Sequence, residues 1–268
     1  MSRTWQFDDF EFHVRWGDRT GEDLPVPLVI TTRIQEHEAI LAQARRVRAD
    51  LAARPDAEID AMFTAITKPD VVVVGWGLDS RDIEKPQAHI RVRASRTGDR
   101  AFVITQQPGE TMWHAAGFTV EERNPSALAA AVVAALPETN PGRLGTVALP
   151  GPATEQSMDF TYREHRFQDR KQDSSSARTN ALLTGQRGMV GRIEIAQGHS
   201  EFGPSGRMER RIHWADMVDD GRYIVNEADP GRAQALDAAA LIALVNDQIE
   251  EVLLVLRDER RSLPPIPG

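Results

Sequence analysis

Ala88-His89-Ile90-Arg91-Val92-Arg93-Ala94-Ser95, then Thr97-Gly98-Asp99, then Ala101 to Gln106, is the stretch whose reading decides the fold. Ile90, Val92 and Ala94 alternate with Arg91, Arg93 and Ser95, the period of two that a strand with one buried face requires. Thr97-Gly98-Asp99 supplies a tight turn, and the apolar run after it is the returning strand. Upstream, Val71-Val72-Val73-Val74 is continuously apolar, as in a strand covered on both faces, and Gly77 to Pro86 is a polar loop. Downstream, Thr111 to Val120 reads as another strand.

The flanks change period. Ile40, Leu41, Ala44, Val47 and Leu51 make a helical stripe between Glu36 and Arg54. Ile59, Met62, Phe63 and Ile66 make another from Ala57, and Asn124-Pro125-Ser126 opens a helix reaching Leu136. Phe10, Phe12, Val14 and Trp16 alternate with polar residues, so the spacing predicts a strand there.

The second half is similar. Thr146 to Leu149, Met189 to Gln197, Met208 to Trp214 and Arg222 to Asn226 read as strands. Pro150 to Ser157 and Gly198 to Gly206 are loops. Phe160 to Gly185 carries charge, including the run Tyr162 to Asp173, then Ser174-Ser175-Ser176, and reads as helix with a mobile middle. Leu236 to Leu256 is the longest helix, and Leu263 to Gly268 is a proline-rich tail. His89-Ile90-Arg91-Val92 and Arg211-Ile212-His213-Trp214 stand 122 residues apart, as do Arg100-Ala101-Phe102-Val103 and Arg222-Tyr223-Ile224-Val225. This predicts an internal repeat. The expected fold is α+β, a single domain over 1–268 with pseudo-repeat halves of about 1–142 and 143–268. Its central antiparallel sheet has a quasi-two-fold axis and is flanked by two helical bundles. The matching loops Gly77 to Pro86 and Gly198 to Gly206 would project on related sides.

Composition narrows function. The 268 residues carry 40 Asp and Glu against 32 Lys and Arg, a formal charge of −8, which disfavours phosphate backbones. No basic patch is visible along the chain. There is no cysteine, so disulfides, thiolate metal sites and thiol nucleophiles are excluded. The N-terminus lacks a signal-peptide pattern and no apolar run reaches membrane-span length, so a cytoplasmic protein without membrane insertion is expected.

Catalytic and metal motifs are absent. The seven histidines are scattered, and His37 between Glu36 and Glu38 lacks a second histidine at helical spacing. His13, His89 and His213 sit in strand-like alternation and would face solvent or a partner. Gly75-Trp76-Gly77 lacks the third glycine and the helix of a dinucleotide loop, and Gly203-Pro204-Ser205-Gly206 lies between strands, unlike a nucleophile elbow. The paired carboxylates at Asp8-Asp9, Glu121-Glu122, Asp219-Asp220 and Glu250-Glu251 sit in exposed patterns. No catalytic residue, metal or cofactor is assigned. The chain reads as a non-enzyme that binds a protein; the alternative is a non-enzymatic ligand-binding or regulatory α+β protein.

Several pieces together resemble a known family. Phe10-x-Phe12-x-Val14-x-Trp16 with Leu24-Pro25-x-Pro27-Leu28, Gly98-Asp99-Arg100-Ala101, Val132 to Pro137 with Pro141-Gly142, and Trp214-x-Asp216 with Asp220-Gly221-Arg222-Tyr223 are similar to the EspG family of ESX (type VII) secretion. The resemblance implies an actinobacterial cytosolic specificity chaperone. Such a chaperone would bind the tip of a helical PE–PPE heterodimer, or a related hairpin substrate, and keep it soluble until export. It implies a binding face built from the sheet and the C-terminal bundle, with Gly77 to Pro86 as a mobile loop. The free chain is expected to be a monomer, its sheet edges offering at most a weak homodimer. Contact residues are chosen from exposure and chemistry: Trp76, Leu78, Asp79, Ile83, Arg91, Arg93, Phe202, Met208, Arg210 and Trp214.

Overall fold

The computed structural model describes residues 3–150, 169–200 and 202–262. The loop Pro150 to Ser157, the charged run up to residue 168 and the proline-rich tail therefore lie wholly or mainly outside the described residues.

In chain order the elements are β1 (Thr4–Phe7), α1 (Asp9–Thr20), α2 (His37–Ala53), α3 (Ala57–Thr67), β2 (Val71–Asp79), β3 (Ile90–Thr97), β4 (Arg100–Pro108), β5 (Ala115–Arg123), α4 (Leu128–Ala134), β6 (Val147–Ala148), α5 (Asp169–Thr184), β7 (Arg187–Gln197), β8 (Glu209–Met217), β9 (Arg222–Asn226), β10 (Arg232–Ala233) and α6 (Ala238–Ser262). Among the described residues, eight strands form one sheet in the order β1-β5-β4-β3-β2-β7-β8-β9, and β10 pairs with β6 in a small second sheet. Every pairing in the large sheet is antiparallel. The expected α+β architecture, a central antiparallel sheet flanked by helices, is the observed one.

Side-chain alternation along the strands separates two faces. In β4, Ala101 and Val103 join the core under α4 and α6, whereas Phe102 and Ile104 join the core under α1 and α3. In β9, Ile224 belongs to the α4–α6 side. Tyr223 points the other way and packs with Val147, Leu182, Met217 and Ala233. One face is thus covered by α4 and α6. The other is covered at one end by α1–α3 and at the opposite end by α5 with the small sheet.

The alternation at Phe10 to Trp16 does not make a strand; it lies in α1. Asp8 caps the helix, its carboxylate accepting from the Glu11 amide at 2.7 Å. Gly21 ends it in a left-handed conformation, its amide donating to the Gly17 carbonyl at 2.8 Å. Phe12 and Trp16 stack one turn apart at 6.4 Å, and Phe12 stacks on Phe118 at 4.5 Å. Val14 and Arg15 are buried too, Arg15 by pairing with Glu11 at 2.7 Å and lying over the Phe7 and Phe63 rings. A helix enclosed on nearly all sides needs no 3.6-residue stripe, so its period misleads. His13 is correspondingly a helix residue, not a strand residue.

Two further expectations change. Residues 109–114 form a turn closed by Gly109 N–H donating to the His114 carbonyl at 3.1 Å, and β5 starts only at Ala115. Trp113 therefore sits in a loop, 57% exposed. The 122-residue offset is also not kept in the sheet. Val92 faces Thr105 and Trp214 faces Ile224, where a constant offset would put Glu227. The first hairpin closes on two residues, Gly98 and Asp99, and the second spans the longer Val218–Gly221 turn, so the gap-free match does not carry over to strand pairing.

Candidate partner-binding face

The joint between the two groups of strands is the β2·β7 pairing, where Val73 meets Ile195 and Trp76 meets Arg192. Gly77 and Gly191 let the joint close. A Cβ on either glycine would run into the Trp214 ring, which fills the space from the α4–α6 side. Trp214 is 3% exposed, with the Arg222 guanidinium 5.0 Å from its ring centroid. Arg222 in turn is held by Asp216 at 2.6 Å and by the Pro137 carbonyl at 2.8 Å.

On the opposite face the same pairing registers build a row across four strands: Arg91 on β3, Trp76 on β2, Arg192 on β7 and His213 on β8. One step along lie Arg93, Val74, Glu194 and Arg211. The Arg192 guanidinium stands 5.1 Å over the Trp76 ring and is ion-paired with Glu194. Arg93 donates to the Val26 carbonyl at 3.1 Å while its Nε is buried without an acceptor. Burial, with a smaller contribution from nearby Arg207, pushes the Arg93 guanidinium down to about 10. Burial lowers Arg91 as well. Neither has a carboxylate partner among the described residues, whereas Arg210 pairs with Glu251 at 3.0 Å and Arg211 with Glu209 at 2.6 Å.

Trp76 divides this strip into two recesses. Toward α5, Leu182, Leu183, Val190, His213 and Tyr223 line about 490 Å³ of largely apolar space. Toward the N-terminal bundle, Pro27, Val29, Leu78, Arg91, Met112 and Trp113 line about 240 Å³. Aromatic and apolar anchors beside arginines, in a concave strip between two bundles, suit a protein surface.

The ten residues chosen from the sequence do not converge. Trp76, Leu78, Arg91 and Arg93 share the strip. Asp79 lies at the end of β2, clasped by Arg81 at 2.7 Å, a contact that holds its carboxyl down at about 2. Ile83 is 53% exposed in the turn that follows. Phe202, 70% exposed, is at the other end of the sheet, because antiparallel pairing sets Asp79 beside Met189 and Val71 beside Gln197. The loops expected on related sides thus occupy opposite ends. Gly77 to Asp79 belongs to β2, and the rest is a turn tied by Ser80 N–H to the Gly188 carbonyl at 2.9 Å. Met208, Arg210 and Trp214 lie on the face under α6, with Trp214 in the core. Sequence reasoning missed Arg192 and Trp113, and read His213 as facing solvent or a partner without choosing it as a contact. The glycine-flanked turn before Trp113 was a readable signal for it, while Arg192 and His213 reach Trp76 only through long-range pairing.

Among the described residues no group of three or more His, Cys, Asp or Glu could hold a metal ion, and no helix is long and apolar enough to cross a membrane. No curated protein matches the sequence. The fold is similar to that of the Mycobacterium tuberculosis type VII secretion system chaperone EspG5, solved in complex with a PE25–PPE41 dimer. That likeness has a TM-score of 0.54 over 100% of this chain and 99% of that one, at 12% identity, and it is a likeness of fold. The sequence itself matches the EspG family over residues 10–247, nearly its whole length, and the chain belongs to that family.

Proposed function

We propose that this chain is a specificity chaperone of type VII secretion that binds the apolar tip of a PE–PPE-type helical heterodimer in the cytoplasm, keeps it soluble and delivers it for export. The observation that carries the reading is the family match over residues 10–247. It is supported by a whole-chain fold likeness to a chaperone solved with a PE–PPE dimer. Exposed apolar helix tips aggregate unless covered, and the strip around Trp76 offers apolar recesses of suitable form. The proposed contact face keeps Trp76, Leu78, Arg91 and Arg93 and adds Arg192, His213 and Trp113. Ile83 and Phe202, exposed at the two sheet ends, are rim contacts.

Co-expression with the PE–PPE pairs of the same genome, followed by size-exclusion chromatography, tests the reading. A stable complex that keeps an otherwise insoluble pair in solution is the expected result. Pairs whose solubility and elution ignore the chain would overturn it.

A further inference from the structure

Among the described residues, most arginines of this acidic chain have a carboxylate within reach; those beside Trp76 on β3 do not. Among the described residues Arg91 makes no side-chain hydrogen bond or ion pair, and Arg93 has only the Val26 carbonyl, with its Nε buried and unsatisfied. Arg207 adds a third cation close enough to act on Arg93. Of the acids near the strip among the described residues, Glu194 is taken by Arg192, and Glu227 stands beside His213 and Arg211 at the far end. A desolvated guanidinium without a counter-charge destabilises the isolated chain. It becomes favourable when a carboxylate arrives with an interface that excludes water.

We propose that Arg91 and Arg93 form a receptor for a carboxylate, and that the partner segment seated beside Trp76 carries an acidic residue flanked by apolar ones. That the segment is helical and belongs to a secretion substrate rests on the chaperone reading above; the charge requirement does not. Charge complementarity selects this occupant. Trp76 and the largely apolar recess on its α5 side take the flanking apolar side chains, and the planar guanidinium fork matches a carboxylate. A phosphate backbone fits poorly. The cationic patch is small, Glu194 stands within it, and the whole chain carries −8. Selectivity follows from the penalty of leaving two partly buried cations unmatched, which a neutral or basic segment would incur.

Two labelled amphipathic helical peptides decide it. Both share one Leu- and Trp-rich face; one has Glu beside that face and the other has Gln. Anisotropy with the full chain is expected to show about tenfold tighter binding of the Glu peptide, weakening with added salt. The preference should vanish in the Arg91→Gln, Arg93→Gln double variant, whose melting temperature should be no lower than the parent's, because uncompensated charge has been removed. Equal binding of the two peptides, binding of neither, or a Glu preference that survives in the double variant overturns the proposal. A single-stranded oligonucleotide that outbinds the Glu peptide also overturns it. The heterodimer assay separates the two readings. A PE–PPE complex indifferent to the double variant leaves the chaperone role standing and removes the receptor. A retained peptide preference without any PE–PPE complex does the reverse.

Discussion

Arg192 and Trp76 face each other across the β2·β7 pairing, the guanidinium 5.1 Å from the indole centroid. Glu194 fixes the arginine from behind, so the indole is held rigid at the centre of the strip. Rigid aromatic anchors dominate interface energies. Trp76→Ala is expected to weaken PE–PPE binding by about 2 kcal/mol or more, roughly 30-fold. Calorimetric titration measures it, with a circular dichroism spectrum to confirm that the fold is kept.

Gly191 and Gly17 should respond to alanine with opposite signs. A Cβ on Gly191 would overlap the Trp76 carbonyl oxygen and crowd the Trp214 ring, both fixed by the sheet. Gly191→Ala is expected to cost about 2 kcal/mol or more in urea unfolding. Gly17 lies within α1, and its Cβ would meet only the Glu22 carbonyl at 3.9 Å. Gly17→Ala should therefore stabilise by about 0.5–1 kcal/mol.

The buried Arg222–Asp216 pair anchors the segment after α4, since Arg222 also binds the Pro137 carbonyl and Asp216 accepts from Thr139 at 3.2 Å. Asp216→Asn would strand a buried cation. The expected loss is about 3–5 kcal/mol, read from the urea midpoint. Replacing Asp219, which is exposed in the nearby turn, should cost far less.

Tyr223 sets an alkaline limit. Its hydroxyl donates to Asp220 at 2.7 Å and accepts from the Leu144 amide at 2.9 Å. Burial, then the Asp220 carboxylate, push its pKa up to about 12 from the usual 10. The folded state therefore holds this proton more tightly than the unfolded chain. The contribution is complete below pH 10 and is lost as pH rises towards 12. Tyr223→Phe should cost about 1–2 kcal/mol at neutral pH. Urea titrations across pH should show that gap to the parent shrinking between 10 and 12.

Much of the fold was legible because its strongest signals are local. The β3–β4 hairpin turns on Gly98-Asp99 as its sequence requires, Val71 to Val74 is buried on both faces, and α6 buries Leu241, Val245, Ile249, Val252 and Leu256 on one stripe. What failed was non-local. The α1 helix looked like a strand because it is enclosed on several sides. Repeat spacing could not report that the two hairpins close on turns of different length. The contact strip was only half visible: Trp76, Arg91 and Arg93 could be chosen by type, but no reading of the chain sets Arg192 and His213 beside them. The same limit hid the cationic patch, because Arg91 and Arg93 on β3 and Arg192 on β7 lie about a hundred residues apart along the chain and meet only through the β2·β3 and β2·β7 pairings.

The row Arg91, Trp76, Arg192, His213 draws on strands more than a hundred residues apart and exists only once β7 has docked on β2. A nascent chain that has emerged only as far as α5 has the indole and its β3 arginines but no opposite wall. Competence to hold the proposed partner would then come late in synthesis, when the last third has left the ribosome, so that an unfinished chain has no complete face to bind with.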